Sequence, residues 1–490
     1  MDMLDRDLQS VQAVRGLVRG AREAQKQLME FSQEQIDRIV EAVARAGYDN
    51  AVRLGQMAAD ETGFGRADDK TIKNQFGSMS VYEAIKDIRT VGVLHEDTDA
   101  KVADIAVPMG VVAGLIPSTN PTSTVMYKAL LAIKSGNAIV FSPHPGAKNC
   151  ILETVRVLRE AAEAAGCPQG ALGCIEILTM ESTNELMRLS DLILATGGTA
   201  MVKAAYSSGT PAIGVGPGNG PAFIERSADI RLAVKRIVDS KTFDNGTICA
   251  SEQSIVTEDC IKEEVAAELL RQGAYFLSAE EKEKVSAVLM RPGGTMNPRI
   301  VGKSAQHVAD LAGVRVPADT RVLVGFETEV GGKTPFSKEK LCPVLAFYVE
   351  PDWEAACETC VRILRHEGAG HTLIIHSNDE SVIRAFALKK PVSRILVNTS
   401  GAPGGIGATT NLFPALTLGC GAVGGSSTSD NIGPLHLINI RRLAYGVREL
   451  DDIRAPRAAQ PAAQLSGGDE DALVRAIVSK ILHNLERRAT

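Results

Sequence analysis

The sequence predicts an α/β fold in which two domains are each built on a parallel sheet. Short apolar segments alternate with amphipathic ones between residues 100 and 200, and a second alternating region covers about 245–420. This rhythm is typical of βαβ units, whose ligands bind at the C-terminal ends of the strands. A length of 490 residues also exceeds what one hydrophobic core usually supports. We therefore predict a first domain over 1–240 and a second over 241–425.

Residues 1–60 are predicted to be helical. Ser32 and Gln35 match a capping box, in which each side chain bonds the backbone of the other residue. Apolar residues then recur at helical spacing over 36–43, and Gly47 is predicted to end this helix.

The first alternating region contains four predicted strands and four predicted helices. The strands lie at 111–116, 138–141, 175–178 and 192–196, and the helices at 125–135, 147–165, 182–189 and 200–207. Further strands are predicted near 100–110 and over 436–446. In this architecture such strands can pair between subunits. We therefore expect a β-strand oligomerisation arm and assign 426–453 to a C-terminal segment with an oligomerisation strand.

The composition changes near the C-terminus. Residues 454–468 are rich in Ala, Pro, Gln and Gly, which predicts a linker. Residues 469–490 carry an apolar stripe at helical spacing, with acidic residues first and Arg last, which predicts an amphipathic helix. This helix either docks on its own domain or binds a groove in a partner, and the linker favours the second. Its polar face is not strongly basic, which argues against a membrane surface.

Charge and hydropathy exclude some partners. A formal net charge of −6 argues against nucleic acid, because phosphate binding needs a basic surface. The longest apolar run, 105–117, is too short to span a bilayer and contains Pro and Gly. The nine cysteines are odd in number and no secretory pattern opens the chain, so we expect reduced thiols in the cytoplasm.

The Cys357-Glu-Thr-Cys360 segment has the spacing of a redox or metal motif. A second pair of ligands is missing from the sequence pattern, and 353–364 is predicted to be one amphipathic helix. We expect two buried structural cysteines here and no metal site.

Cys249 is the candidate nucleophile. It follows Asn245-Gly246-Thr247, which permits a tight turn that would present the thiol at a cleft. A thiolate adds to an aldehyde carbonyl to give a thiohemiacetal, and loss of a hydride from this adduct gives a thioester. Asn120, at the end of a predicted strand, could donate with the Cys249 N–H to the developing oxyanion. Taken singly, Cys249 could be a small buried residue and Asn120 a turn residue before Pro.

Two segments suit a nucleotide. Thr196-Gly197-Gly198-Thr199 follows a predicted strand and opens a helix, whose N-terminal amides suit a pyrophosphate. The usual G-x-G-x-x-G pattern is absent here. Ser142-Pro143-His144-Pro145 ends another strand and could line an adenosine pocket.

These segments, in this order, resemble the aldehyde dehydrogenase superfamily over about 20–450. The match is closer to its CoA-acylating branch, which includes the aldehyde dehydrogenase half of bifunctional aldehyde–alcohol dehydrogenases. The segments that carry the resemblance are 116–123, 134–143, 196–199, Cys249 and 339–344, with 211–221, 368–372 and 418–434 as the more specific motifs.

The resemblance implies a Rossmann-type cofactor domain and a role for each matching residue. Cys249 matches the nucleophile, Asn120 the oxyanion-stabilising residue and Glu339 the residue that usually holds the nicotinamide ribose. Ser142 stands where many hydrolytic relatives carry Lys, and we expect NAD. The cofactor-binding residues implied are Ile116, Pro117, Ser118, Thr119, Ser142, Pro143, His144, Pro145, Gly197, Gly198, Thr199, Gly214, Val215, Gly216, Glu339 and Pro343.

One departure from the hydrolytic relatives decides the predicted reaction. Those relatives carry a water-activating Glu in the segment that matches 213–216, whereas this chain has Gly214 and no carboxylate from 211 to 224. A thioester without a positioned water survives longer, so the thiol of CoA can intercept it. His371 is a further catalytic candidate that could assist CoA deprotonation, or it is a structural residue in a Gly-rich turn.

We therefore predict reversible, NAD-dependent, CoA-acylating oxidation of propionaldehyde or acetaldehyde. The alternatives are a hydrolytic aldehyde dehydrogenase, an acylating enzyme for a special aldehyde such as sulfoacetaldehyde, and a non-catalytic shell-binding module. A cofactor-free Cys hydrolase would need a His on Cys249 and would not need 196–199.

The predicted C-terminal helix is similar to the encapsulation peptides of bacterial microcompartment cargo. This similarity implies a cytoplasmic homo-oligomer, a dimer or tetramer, bound inside a microcompartment through a shell protein.

Overall fold

The computed structural model describes residues 5–454 together with Val478 and Ser479. The helices are α1 (Arg6–Leu28), α2 (Gln33–Asp49), α3 (Ala51–Thr62), α4 (Ala67–Gln75), α5 (Val81–Ile85), α6 (Pro121–Lys134), α7 (Lys148–Ala164), α8 (Met180–Leu189), α9 (Thr199–Ser207), α10 (Ile230–Thr242), α11 (Lys262–Arg271), α12 (Ala279–Leu289), α13 (Ala305–Leu311), α14 (Trp353–His366), α15 (Glu380–Lys389), α16 (Gly401–Gly405) and α17 (Leu450–Arg454). The strands are β1 (Val93–Asp97), β2 (Val102–Pro108), β3 (Val111–Leu115), β4 (Ala138–Ser142), β5 (Leu172–Cys174), β6 (Leu192–Thr196), β7 (Ala212–Val215), β8 (Gly220–Ile224), β9 (Glu252–Glu258), β10 (Ala274–Phe276), β11 (Val322–Phe326), β12 (Val344–Glu350), β13 (Gly370–His376), β14 (Val392–Val397) and β15 (Ile438–Ala444).

Two parallel sheets confirm the predicted α/β class. The first has five strands in the order β5-β4-β3-β6-β7, and the second has seven in the order β10-β11-β12-β9-β8-β13-β14. A three-stranded sheet has the order β1-β2-β15.

Both faces of the first sheet are buried, because alternate residues of a strand point to opposite faces. In β3, Val112 packs into a core with α2, α6 and α7, whereas Val111 and Ala113 pack into a second core with α1 and α8. The second sheet is covered in the same way, with Phe223 on one face and Ala222 on the other.

The capping box at Ser32 and Gln35 is confirmed, and it begins α2. The prediction that Gly47 ends this helix is wrong, because α2 continues to Asp49. Gly47 instead permits close packing, since a Cβ there would lie 3.0 Å from the Cβ of Ser78.

The predicted strand at 175–178 is also wrong. The strand that pairs with β4 is β5, with Leu172 opposite Ile139. The following residues lead into a capping box, in which the hydroxyl of Thr179 accepts from the Ser182 N–H and begins α8.

The chain changes sheets between β7 and β8, about twenty residues before the domain boundary predicted at 240 and 241. The helix α10 then connects two adjacent strands of the second sheet, β8 and β9. The second sheet thus begins in the sequence with β8, and the domain boundary at 240 and 241 stays a prediction.

In the described part of the chain, residues 95–103 and 442–454 belong to a second compact unit. Within it, the Tyr445 N–H donates to the carbonyl of Lys101. Strands occur where the two arm strands were predicted, as β2 and β15.

The predicted linker lies outside the described residues except for Arg454, which is in α17. The predicted C-terminal helix also lies outside the described residues, except for Val478 and Ser479. In the described part of the chain, we find no helix that is long and apolar enough to cross a membrane.

Candidate active site

A left-handed turn presents Cys249. Asp244, Asn245 and Gly246 have φ values of 48°, 52° and 75°, a region that Asp, Asn and Gly tolerate better than other residues. The turn follows α10 and precedes β9, so Cys249 lies just before a central strand of the second sheet. The sequence prediction of a tight turn before Cys249 is thus correct.

His371 lies directly against the candidate nucleophile. The distance from its Nε2 to the Cys249 Sγ is 3.1 Å, and its Nδ1 lies 2.9 Å from the hydroxyl oxygen of Thr372. These contacts suit the tautomer in which Nδ1–H donates to Thr372 and Nε2 accepts from the thiol. The structure therefore brings together two residues that are far apart in the sequence.

Burial keeps both of these groups neutral. It raises the pKa of Cys249 to about 12, helped by the negative charge of Glu339. It lowers the pKa of His371 to about 3, helped by the positive charge of Arg394. A neutral imidazole keeps its lone pair on Nε2, so His371 can act as a proton acceptor at neutral pH.

Glu339 reaches this region through Gly218. The Gly218 N–H donates to Oε1 of Glu339 at 3.0 Å. Any Cβ at Gly218 would lie 1.8 Å from the Cys249 carbonyl oxygen, so only glycine allows this approach. Burial, followed by the nearby charge of Glu367, raises the pKa of Glu339 to about 8.

Asn120 connects the first sheet to the Cys249 turn. It lies between β3 and α6, and its side-chain Nδ2 donates to the Thr247 carbonyl at 3.3 Å. Its Oδ1 accepts from the ammonium group of Lys73 at 2.5 Å. The structure thus brings Asn120 to the residues immediately before Cys249, as predicted.

Three buried charged residues behind Asn120 were not predicted from the sequence. Lys70, Lys73 and Asp244 form ion pairs in the interior. The spacing of the two lysines on one helix face was visible in the sequence, but such a face is usually solvated.

Most of the predicted cofactor residues meet at one edge of the first sheet. Strands β4, β3, β6 and β7 are parallel neighbours, so their C-terminal ends lie together. The residues brought to this edge are Ile116, Pro117, Ser118, Thr119, Ser142, Pro143, His144, Pro145, Gly197, Gly198, Thr199, Gly214, Val215 and Gly216. Glu339 and Pro343 instead lie in the segment that precedes β12 of the second sheet, and the carbonyl of the buried Pro343 accepts from the Leu323 N–H.

The N-terminus of α9 fits an anionic ligand. Gly198 is its N-cap residue and provides no side-chain cap, and Gly198 and Thr199 are exposed. A Cβ at Gly198 would meet nothing within 4 Å, so a ligand can approach the first N–H groups of the helix.

Cys357 and Cys360 lie buried in α14, as expected for structural cysteines. The Cys357 Sγ accepts a hydrogen bond from the ammonium group of Lys390.

A model of the aldehyde dehydrogenase family matches residues 6–356. The chain belongs to the aldehyde dehydrogenase family. The resemblance drawn from its motifs is therefore confirmed.

Among curated proteins, the chain is 45% identical over 442 residues to the bifunctional aldehyde-alcohol dehydrogenase AdhE of Escherichia coli, covering 89% of this chain and 50% of that protein. The chain thus spans about half the length of the bifunctional relatives that it matches. It is 39% identical over 438 residues to the acetylating succinate-semialdehyde dehydrogenase of Clostridium kluyveri, covering 89% of this chain and 96% of that protein.

The chain is also similar to solved structures of aldehyde dehydrogenases. A probable aldehyde dehydrogenase from Listeria monocytogenes EGD-e has 65% identity and a TM-score of 0.91, over 92% of this chain and 100% of that chain. An acetylating aldehyde dehydrogenase from Geobacillus thermoglucosidasius has 54% identity and a TM-score of 0.90, over 91% and 99%. A propionaldehyde dehydrogenase from a Clostridium phytofermentans fucose utilisation microcompartment has 26% identity and a TM-score of 0.80, over 88% and 97%.

Proposed function

We propose that this protein is an NAD-dependent, CoA-acylating aldehyde dehydrogenase. It would convert an aldehyde, NAD and CoA into an acyl-CoA and NADH, reversibly. The observation that carries the proposal is the contact of 3.1 Å between the Cys249 Sγ and the His371 Nε2.

In the first step, the Cys249 Sγ forms a bond to the carbonyl carbon and the thiol proton moves to the His371 Nε2. The carbonyl oxygen gains a negative charge and accepts hydrogen bonds from the Asn120 side-chain amide and the Cys249 N–H. One such donor is typically worth about 10²–10³ in rate. NAD, when bound, would take the two electrons that convert this adduct into a thioester.

The described residues fit NAD at the shared edge of β3, β4, β6 and β7. The exposed N-terminus of α9, with Gly197, Gly198 and Thr199, would hold the pyrophosphate. Residues 116–119 and 142–145 would line the adenosine side, and Glu339 would hold the nicotinamide ribose. Ser142 offers no positive charge for a 2′-phosphate, which favours NAD over NADP.

The fate of the thioester depends on position 214. Gly214 carries no side chain, and a Cβ there would lie 2.8 Å from the Val202 Cγ1 and 2.9 Å from the Tyr206 Cε2. A water-activating carboxylate would therefore fit at this position only if the side chain of Val202 or Tyr206 moved. Gly216 has open space around its Cα, which would admit the arm of CoA. Once His371 has released the Cys249 proton to solvent, it would take the thiol proton of CoA and return it to the Cys249 sulfur that leaves the thioester.

These features argue against the alternatives that the sequence analysis left open. Hydrolysis of the thioester needs a positioned water, for which Gly214 provides no base. A Cys hydrolase would use the same pair of Cys249 and His371, but it would not need the exposed N-terminus of α9. A non-catalytic module would not need His371 and Asn120 to lie close to Cys249.

A short uncharged aldehyde, acetaldehyde or propionaldehyde, is the proposed substrate. The positive charge of Arg394 partly opposes the rise in the pKa of Cys249, but its guanidinium donates to the carbonyls of Gly419 and Ser429 and to the side chain of Asn431. Arg394 is thus engaged by the protein and does not present free donors to a sulfonate such as that of sulfoacetaldehyde.

We further propose a cytoplasmic homo-oligomer that is cargo of a bacterial microcompartment. The exposed residues of β15 would pair with another subunit, and 469–490 would bind a shell protein. Deletion of 455–490 should preserve turnover and abolish co-purification with shell protein. Loss of turnover would instead indicate a helix that docks on its own domain.

The direct test of the proposed reaction is NADH formation from propionaldehyde and NAD, with and without CoA, in the wild type and in Cys249→Ala. We expect sustained turnover only with CoA and none in the variant. Equal turnover without CoA would establish hydrolysis, and cleavage of acyl esters without NAD would favour the Cys hydrolase.

A further inference from the structure

Lys73 is a buried lysine that the reaction described above does not use. It lies on α4 and is 2% exposed. Its ammonium group donates to the Oδ1 of Asn120 at 2.5 Å, to the hydroxyl of Thr247 at 2.9 Å, and to the carboxylate of Asp244. These three acceptors match the three N–H donors of the ammonium group, so its orientation is fixed.

Asp244 provides the compensating charge. Its fully buried carboxylate also accepts from Lys70 at 3.1 Å, from the Thr247 hydroxyl at 2.7 Å and from the Arg66 N–H at 2.7 Å. Ion pairs buried in this way contribute little net stability, because both charges lose their hydration. Stability alone therefore gives a weak reason for placing Lys73 behind Asn120.

The ammonium group decides how the Asn120 amide is turned. A carboxamide has an oxygen end and a nitrogen end of nearly the same shape, so either end can occupy either position. An ammonium group has only donors and must face the oxygen end. With Oδ1 on Lys73, the NH₂ group faces the turn that carries Cys249, where Nδ2 donates to the Thr247 carbonyl.

We propose that Lys73 is a positioning residue, which holds Oδ1 of Asn120 so that its NH₂ group is directed at the carbonyl oxygen attacked by Cys249. This inference rests on the proposed function. During the attack the S–C bond forms, the π electrons move to oxygen and the thiol proton passes to His371. Lys73 exchanges no proton, and it polarises the amide so that the N–H groups donate more strongly.

Acylation of Cys249 by acetyl-CoA tests this inference without any nicotinamide. The thiol of Cys249 attacks the thioester carbonyl through the same kind of oxyanion, and CoA leaves with the proton held by His371. Intact mass spectrometry measures the rate of acetyl transfer. Alkylation of Cys249 by iodoacetamide serves as the comparison, because that substitution forms no oxyanion. Both reactions use the Cys260→Ser background, since Cys260 is the exposed cysteine.

Lys73→Met should slow acetylation by about 10- to 100-fold, less than the full loss of an oxyanion donor, and leave alkylation unchanged within about twofold. Lys70→Met is the matched control. It also removes a buried ammonium group from Asp244, but Lys70 contacts the Thr119 backbone and not the Asn120 side chain. We expect acetylation in this control within about threefold of wild type.

A double-mutant cycle isolates the route through Asn120. In an Asn120→Ala background, Lys73→Met should cause no further loss of acetylation rate, because its target is gone. If Lys73→Met does not fold, Lys73→Gln replaces it, with an amide donor that is shorter and neutral. Its acetylation rate should fall several-fold in the presence of Asn120 only.

Three results would overturn the inference. They are equal acetylation by the Lys73 and Lys70 variants, an equal loss of alkylation in Lys73→Met, and an additive loss in the Asn120→Ala background. Failure of the wild type to accept acetyl groups, with normal alkylation, would overturn the proposed function and this inference with it.

Discussion

The hydroxyl group of Tyr206 lies within hydrogen-bond distance of both the backbone N–H and the backbone carbonyl of Gly214. It accepts from the Gly214 N–H at 2.9 Å and lies 3.2 Å from the Gly214 carbonyl oxygen. The same hydroxyl accepts from the Ser427 N–H, so β7 and the segment after residue 425 are joined at this point. The aromatic ring of Tyr206 thereby occupies the space beside the Cα of residue 214.

Gly214→Ala is expected to destabilise the protein by about 1–3 kcal/mol, because its Cβ would contact Val202 and the Tyr206 ring at less than 3 Å. Urea denaturation measures this change. Gly216→Ala is the control, since a Cβ there meets nothing within 4 Å. Gly214→Glu should likewise lose stability and gain no thioester hydrolysis. A stable, hydrolytic Gly214→Glu variant would contradict this account of the site.

The pH dependence of alkylation should report the raised pKa of Cys249. In the Cys260→Ser background, the rate constant with iodoacetamide should rise about tenfold per pH unit from roughly pH 7 to 10, because only the thiolate reacts. The reason is that burial raises the pKa of Cys249 to about 12. A plateau near pH 9 would show that the thiol ionises more easily, and Cys249→Ser controls for reaction elsewhere.

Glu339→Gln should accelerate alkylation of Cys249 above pH 8. The carboxylate of Glu339 helps to raise the pKa of Cys249, and its own pKa is raised to about 8. Gln can still accept from the Gly218 N–H but carries no charge. At pH 9 we expect the variant to react roughly threefold faster or more, and at pH 6 the two rates should converge because wild-type Glu339 is protonated. If the ratio of the two alkylation rates stayed constant across pH, the charge of Glu339 would not be the cause of the difference.

Glu252 should make stability fall as pH rises. Burial raises its pKa from the ordinary 4.5 to about 7, so between these values the folded state holds a proton that the unfolded state has lost. The free energy of unfolding should fall by about 3 kcal/mol in total by pH 8, and no part of this fall should occur below pH 4.5. Urea denaturation of wild type and Glu252→Gln at pH 5 and pH 8 measures it. Equal pH dependence in the two proteins would exclude Glu252 as the source.

The sequence predicted the long, fully buried elements best. β3, β4 and β6 are continuous apolar runs ended by turn residues, and this pattern has few alternatives. β5 was misplaced because it has three residues, one of them Gly, and the neighbouring Ile175–Leu178 segment is more apolar. Pairing with β4, which is a tertiary contact, decided between the two segments.

The residues of the candidate site show the same difference between local sequence patterns and tertiary contacts. Cys249 and Asn120 follow local turn patterns and could be proposed from the sequence, whereas the contact between Cys249 and His371 joins residues 122 positions apart. Lys73 and Asp244 are 171 positions apart, and neither carries a local sign of burial. Pairwise contacts of this kind depend on how two sheets and a helix meet, which no local pattern encodes.

The neutral state of Cys249 also protects it from damage. Peroxide attacks a thiolate, and the resulting sulfenic acid is oxidised further to irreversible sulfur acids. A thiol held by burial far from ionisation, beside an imidazole that is also neutral, reacts slowly with such oxidants. We therefore expect the thiol of Cys249 to be oxidised slowly by peroxide.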